Sequence, residues 1–274
     1  MSVYIGRRDV VSASGADAAA YLQGQISQDV DAVAEGASAW SLVLQPQGKV
    51  NALFRLTKVA PDQFLLDVDP GHGDAMLARL QRFLLRLDVR FELATWDHHA
   101  YRGARPAGIV APIAAPIDWS GSPGLDVVGP SLSEPADDEH ILDDIGYRTL
   151  RIEAGVPEMG AEIEESTIPA EAGDVNSWVS FTKGCYTGQE LVARIDSRGN
   201  NTPRSLHRFR GVAPTPTAGT EVIAAESAVG VLTSVAPTEQ GWVALGYLRR
   251  NTDGSAVTAP GGEPVTVEPL RVDP

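Results

Sequence analysis

The only cysteine of this 274-residue chain lies in the segment KGCYTGQE, residues 183–190. Glycines at 184 and 188 permit backbone angles that other residues resist, so the chain can turn sharply around the thiol. The charge of Lys183 and the start of a helix just beyond Cys185 would both favour the thiolate, the reactive form, whereas Glu190 would oppose it. A reactive or ligating thiol is one interpretation. A small buried cysteine that fills space at a glycine-dependent turn is the other.

Other residues that could do chemistry form no familiar pattern. One cysteine cannot form an internal disulfide, and alone it cannot hold a zinc ion or an iron-sulfur cluster. None of the five histidines lies in a recognisable protease or acyltransferase context. The sequence has no GxxxxGK[ST] loop, no GxGxxG after a strand and no HExxH. We therefore predict no metal site.

The composition narrows the possible partners and locations. The formal charge of −14 disfavours nonspecific adhesion to nucleic acid or to an anionic membrane. No apolar run approaches the roughly 20 residues that would span a bilayer. The first twenty residues lack the uninterrupted apolar core of a secretory signal. We expect a cytoplasmic protein with no membrane partner and no direct nucleic-acid contact.

The elements that must position the cysteine segment can be predicted from the hydrophobic pattern. A short helix is expected to end near Gly24, and residues 37–69 are typical of three antiparallel strands separated by turn residues. Apolar residues at helical spacing predict a helix over residues 71–87, and TGQELVARI predicts another just beyond Cys185. From Arg204 onward, short strand-like runs cut by Pro and Gly indicate a small all-β domain, predicted to be a barrel.

Three segments together resemble a known family. They are YLQGQISQDV at 21–30, LRIEAGVPEMGAEI at 150–163 and KGCYTGQELVAR at 183–194. These segments, in this order, are similar to the YgfZ-type folate-binding proteins, relatives of the glycine-cleavage T-protein (aminomethyltransferase). The resemblance implies an α+β fold with mixed sheets and helices around a central cavity, over residues 1–203. It also implies a β-barrel domain over residues 204–274.

The resemblance also implies a cofactor, partners and site residues. The family binds tetrahydrofolate and supports the assembly or repair of client iron-sulfur enzymes, including one that modifies tRNA. Glu153 matches the T-protein glutamate that hydrogen-bonds the pterin ring, and a carboxylate can accept two parallel hydrogen bonds there. The motif residues that match the family signature are Lys183, Gly184, Cys185, Tyr186, Gly188, Gln189 and Glu190.

The remaining residues assigned to the ligand each have a structural alternative. Asp29 and Gln25 are expected to line the cavity, or else simply to follow a helix. Arg194, two helical turns beyond Tyr186, is expected to share its face and meet an anionic group, or else to be an exposed helix arginine. Trp178 can stack on an aromatic ligand or occupy the core.

One departure from the T-protein pattern bears on the reaction. The T-protein carries a catalytic aspartate shortly after a strand-turn glycine, whereas this chain has QGKVNALF, with Asn51 in that region. The expected acid-base residue is absent. A folate-binding accessory protein, with Cys185 and Lys183 as the reacting groups, is therefore preferred. The alternative is a folate-dependent transferase of one-carbon units to or from a small amine.

Overall fold

The computed structural model describes residues 1–119, 122–136, 139–212, 214–259 and 262–270. Two compact units emerge from it. The first comprises Met1–Asp118, Ser122–Ile141 and Val175–Arg194. The second comprises Trp119, Leu142–Asp174 and the described residues from Ile195 onward.

The sheet of the first unit has the strand order β2-β3-β4-β1-β5-β7-β6, with β8 also pairing with β1. Its strands are β1 Ser2–Ser14, β2 Ser38–Leu44, β3 Val50–Ala60, β4 Gln63–Val68, β5 Arg90–Arg102, β6 Ile113–Trp119, β7 Ser122–Gly129 and β8 His140–Leu142. The α-helices in the described part of the chain are α1 Ala18–Gln25, α2 Gly73–Gln81, α3 Asp144–Glu153, α4 Pro169–Ala172 and α5 Gln189–Asp196. The three-strand antiparallel meander predicted for residues 37–69 is confirmed as β2, β3 and β4.

Strand β3 shows how the sequence forms two different faces of this sheet. Phe54 and Leu56 alternate with polar residues and are fully buried, which removes apolar surface from water. Arg55 points the other way and is also buried, where it donates at 2.9 Å to Asp67 and to Asp126. Its buried charge is thus neutralised by two carboxylates, as burial of a guanidinium requires.

Helix α2 is shorter than its periodicity predicts. The sequence predicts a helix over residues 71–87, but the helix ends at Gln81. Met76 and Leu80 are buried, whereas Leu85 beyond the end is 79% exposed. Arg86 adopts a left-handed conformation with φ of 57°, which cannot continue a right-handed helix.

The second unit contains a sheet in the order β10-β11-β12-β9-β13. Its strands are β9 Arg204–Gly211, β10 Glu221–Ala224, β11 Ser227–Thr238, β12 Gly241–Arg249 and β13 Thr266–Pro269. Ile152 of α3 packs in a buried cluster with Leu206 and Leu245. Phe209 and Trp242 belong to a second buried cluster. The predicted succession of short strands after Arg204 is confirmed.

The predicted domain boundary between residues 203 and 204 differs from this spatial grouping. Residues 142–174 join the C-terminal strands because α3 packs against β11 and β12. The boundary as a division of folding domains, 1–203 and 204–274, stays a prediction. Within those ranges, positions 120–121, 137–138, 213, 260–261 and 271–274 lie outside the described residues.

Candidate functional site

The segment that carries Cys185 is fastened to the loop that follows α1. The Lys183 ammonium donates to the carbonyl oxygens of Ile26 (2.9 Å) and Gln28 (2.7 Å). Thr187 N donates to the Gly24 carbonyl at 3.2 Å. These bonds span more than 150 residues of sequence and bring the first and third family-like segments together.

Ser27 is the centre of this attachment, and sequence reasoning missed it. Its hydroxyl donates to the Trp178 carbonyl (2.6 Å) and accepts from Leu42 N (2.8 Å), while its own carbonyl accepts from Ser180 N (3.0 Å). Ser27 is fully buried. The only signal was a small polar residue in QISQD, which is also typical of an ordinary loop.

The Cys185 thiol is exposed, so the interpretation of this cysteine as packing material is wrong. Helix α5 begins at Gln189, four residues later than Cys185, and the thiol is therefore not at the mouth of that helix. Gly188, with φ of +85°, turns the chain before the helix can start. Gln189 closes the turn, since its Oε1 accepts from Tyr186 N at 3.2 Å.

The pKa of Lys183 is lowered in the folded protein. Burial lowers the pKa of its ammonium to about 8, while the charges of Asp29 and Asp31 act in the opposite direction. The nitrogen also lies 5.3 Å from the centre of the Tyr186 ring. Tyr186 is buried, and burial followed by the charge of Glu190 raises the pKa of its phenol to about 12. Lys183 thus holds the loop through carbonyl oxygens and the face of an aromatic ring.

The other predicted ligand residues after α1 are tied to neighbours. The Gln25 Oε1 accepts from Arg79 Nη1 at 3.3 Å. The Asp29 Oδ1 accepts from Gln23 Nε2 (2.9 Å) and from Asp31 N (3.2 Å). Both side chains therefore help to fix the α1 loop and the end of α1. Arg79, a buried residue of α2, was another residue that the sequence did not single out.

The remaining signature residues have different environments. Trp178 is buried, as in the structural alternative for this residue. Arg194 is exposed on α5, and Tyr186 precedes that helix, so the prediction that the two share a helical face is wrong. Gly184 has free space beside its Cα, since no atom lies within 4 Å of a Cβ built at this position. Glu190 is exposed in the first turn of α5.

Glu153 lies in the second unit, at the end of α3, and is not grouped with the Cys185 segment. Arg210 of β9 grips its carboxylate with both terminal nitrogens, one of them at 2.6 Å from Oε1. The hydrogen bonds that Arg210 donates to Glu153, together with the charges of Glu153 and Glu268, raise the pKa of Arg210, whereas burial lowers it. Arg208 donates to the Glu153 carbonyl. The carboxylate predicted to bind a pterin thus already has an internal partner.

Asn51 occupies β3 in the region of the missing catalytic aspartate. Its Oδ1 is buried and has no hydrogen-bond partner within the described part of the chain. An amide in this position can accept or donate hydrogen bonds, but it cannot exchange a proton as a carboxylate does.

The described residues contain neither a candidate metal cluster nor a helix that could span a membrane. No set of three or more His, Cys, Asp or Glu side chains converges there as a possible metal site. None of the described helices is long and apolar enough to cross a membrane.

Comparisons with known proteins place the chain among relatives. No family model matches it. An uncharacterised protein of Haemophilus influenzae is 32% identical over 203 residues, which cover 73% of this chain and 70% of that protein. The tRNA-modifying protein YgfZ of Pectobacterium carotovorum is 28% identical over 236 residues, covering 76% and 70% of the two chains.

A mitochondrial iron-sulfur cluster assembly factor IBA57 homologue of Neurospora crassa is 27% identical over 235 residues. The match covers 76% of this chain but 54% of that protein, so the chain spans about half the length of this relative. The glycine-cleavage aminomethyltransferase T of Bartonella henselae superposes with a TM-score of 0.81 at 16% identity, over 99% of this chain and 86% of that structure. This likeness confirms the α+β fold of the T-protein. These relatives show that the chain belongs to the YgfZ-type family, and it shares the fold of the glycine-cleavage T-protein.

Proposed function

We propose that this protein binds tetrahydrofolate and supports the assembly or repair of iron-sulfur enzymes. Two relatives are named for iron-sulfur cluster assembly and for tRNA modification, which favours a maintenance role over metabolic turnover. The observation that carries the proposal is the exposed Cys185 on a loop fixed by Lys183 and Gly188.

In this proposal, Cys185 is the group that meets a client protein. It engages a client thiol, a cluster iron or an oxidised adduct. Exposure supports the role because a thiol must be accessible to react with another macromolecule. The attachment of Lys183 to the carbonyl oxygens of Ile26 and Gln28 supports it further, since it holds the segment that bears the thiol.

The folate part of the proposal rests on family membership. The resemblance implies a folate-binding cavity within the fold, and Gln25, Asp29, Trp178 and Arg194 are proposed to lie near the ligand. Glu153 is proposed to hydrogen-bond the pterin. For that to happen, Arg210 must share or release the carboxylate that it holds in this structure. Closure of the C-terminal strands into a barrel belongs to the same proposal.

The cellular setting follows from these assignments. The protein acts in the cytoplasm on client iron-sulfur proteins. Its effect on tRNA is exerted through a client enzyme, because a net charge of −14 repels the RNA backbone.

The alternative, a folate-dependent one-carbon transferase, has less support. Asn51 supplies no carboxylate near the strand-turn glycine, so the acid-base residue of the T-protein reaction is missing. The transferase hypothesis would be preferred if the purified protein converted tetrahydrofolate to its methylene form with an amine donor, and if this activity stayed with the protein through purification.

The test is a complementation experiment in cells that lack their own protein of this family. We expect Cys185→Ala to remove support of iron-sulfur enzyme activity while it leaves folding and folate binding intact. The matched control is Gly184→Ala, a change in the neighbouring residue with open space around it. Full enzyme activity with Cys185→Ala would refute the role of the thiol.

A further inference from the structure

The segment between α2 and β5 presents apolar side chains to solvent. We call residues 82–87 the apolar loop. Phe83, Leu85 and Leu87 are 43%, 79% and 42% exposed, respectively. Single exposed apolar residues are common on protein surfaces, but three within five positions of one short loop are a candidate for recognition.

Three arginines lie beside these side chains in the sequence. Arg82, Arg86 and Arg90 are exposed, and none of them forms an ion pair with a carboxylate in the described parts of the chain. The chain as a whole has 36 acidic and 22 basic residues, so this basic cluster is contrary to the overall charge. Asp88, the nearest acid in sequence, is turned toward Ala16, whose N–H it accepts at 3.4 Å.

The apolar loop is held at both ends. At its start, the Arg79 guanidinium lies 5.0 Å from the centre of the Phe83 ring, while its Nε donates to the Leu44 carbonyl at 2.9 Å. At its end, Asp88 N donates to the Asp17 carboxylate at 2.8 Å. Between them, Arg86 has a left-handed conformation. A surface ordered in advance costs less entropy when a partner binds.

We propose that the apolar loop, with Arg90, docks an acidic, leucine-rich amphipathic helix of a protein partner. Phe83, Leu85 and Leu87 match the apolar face of such a helix, and the three arginines match carboxylates along its edges. An anionic membrane is a wide surface that would also face the acidic remainder of this chain, whose net charge is −14, whereas a short helix contacts only the loop and its arginines.

The docking surface is connected to the cysteine segment within the first unit. Arg79, which faces Phe83, also donates to Gln25, and the adjacent Gly24 carbonyl accepts from Thr187. A partner held on the apolar loop therefore binds a surface linked by a short series of contacts to the loop that bears Cys185. The proposal does not depend on folate, because no folate contact enters it.

The test uses a defined probe, a fluorescent amphipathic peptide of about 18 residues with Leu on one face and Glu elsewhere. A second peptide with Lys in place of Glu is the charge control. Fluorescence anisotropy would follow binding to the full chain, to Leu85→Ser and to Arg82→Glu/Arg86→Glu. Val110→Ser is the matched control, because Val110 is an exposed apolar residue (97%) outside this cluster. Thermal unfolding of each variant would verify that it is folded.

We expect the full chain to bind the Glu peptide at least about tenfold more tightly than the Lys peptide, with a loss of similar size in Leu85→Ser and in the double variant. Val110→Ser should bind as the unaltered chain does. Absence of binding, equal binding of both peptides, or unaltered binding by the two loop variants would overturn the proposal. So would binding to phosphatidylglycerol vesicles, or dimerisation, that Leu85→Ser abolishes, because the occupant would then be a membrane or a second copy.

Discussion

Gly188 and Gly48 are in close backbone contact, where the turn of the cysteine segment packs against the turn between β2 and β3. A Cβ on Gly188 would lie 2.6 Å from the Gln45 carbonyl oxygen and 3.3 Å from the Gly48 Cα. A Cβ on Gly48 would lie 2.9 Å from the Gly188 carbonyl oxygen. Both glycines have positive φ, at +85° and +80°. The motif glycine at 188 is thus required by close approach of two backbones.

Gly188→Ala should therefore destabilise the protein by about 2–4 kcal/mol, from the left-handed conformation and the backbone overlap together. Gly184→Ala, in the same motif but with open space around it, should stay within about 0.5 kcal/mol of the unaltered chain. Urea unfolding of the two variants measures both values. Equal stability of the two variants would show that the close approach has no energetic consequence.

Lys183 should make stability depend on pH in the alkaline range. Its folded pKa, about 8, lies below the ordinary value of 10.5, so the unfolded chain binds more protons between these two values. The contribution of Lys183 to stability therefore rises with pH from about 8 to 10.5 and is lowest below pH 8. Comparison of unfolding free energies with Lys183→Met across this range isolates the effect. A parallel pH dependence in the two proteins would contradict the lowered pKa.

Cys185 should react readily in the folded protein. Because the thiol is exposed, alkylation by iodoacetamide should proceed within roughly tenfold of its rate in the urea-unfolded chain. The reaction is followed by mass spectrometry, and the single cysteine gives an unambiguous site. Protection by several orders of magnitude would mean that the thiol is buried in solution.

The Glu153–Arg210 pair should contribute little to stability. Both side chains are about a third exposed, at 33% and 38%, and partly exposed ion pairs contribute about 0.2–1 kcal/mol. A double-mutant cycle with Glu153→Ala and Arg210→Ala measures the coupling. A coupling free energy well above this range would indicate that the main role of Glu153 is to stabilise the fold.

Patterns local in sequence were predictable, and contacts between distant segments were not. The strands over residues 38–68 follow from alternating apolar residues, as confirmed by their pairing. The prediction that α2 reaches residue 87 was wrong, because apolar periodicity does not show where the chain turns away from a helix. Here a non-glycine residue, Arg86, adopts the left-handed conformation that glycine usually supplies. The KGCYTGQE segment was identifiable from its composition. The role of Ser27 depends on Trp178, 151 residues away, and Arg210 grips Glu153 across 57 residues.

A calorimetric titration of tetrahydrofolate under reducing conditions tests the central claim most directly. The proteins compared are the unaltered chain, Glu153→Ala and Arg210→Ala. We predict micromolar-range binding by the unaltered chain, its loss in Glu153→Ala and its retention in Arg210→Ala, because the pterin needs the carboxylate and not its internal partner. No binding to the well-folded unaltered chain would contradict the folate-dependent account.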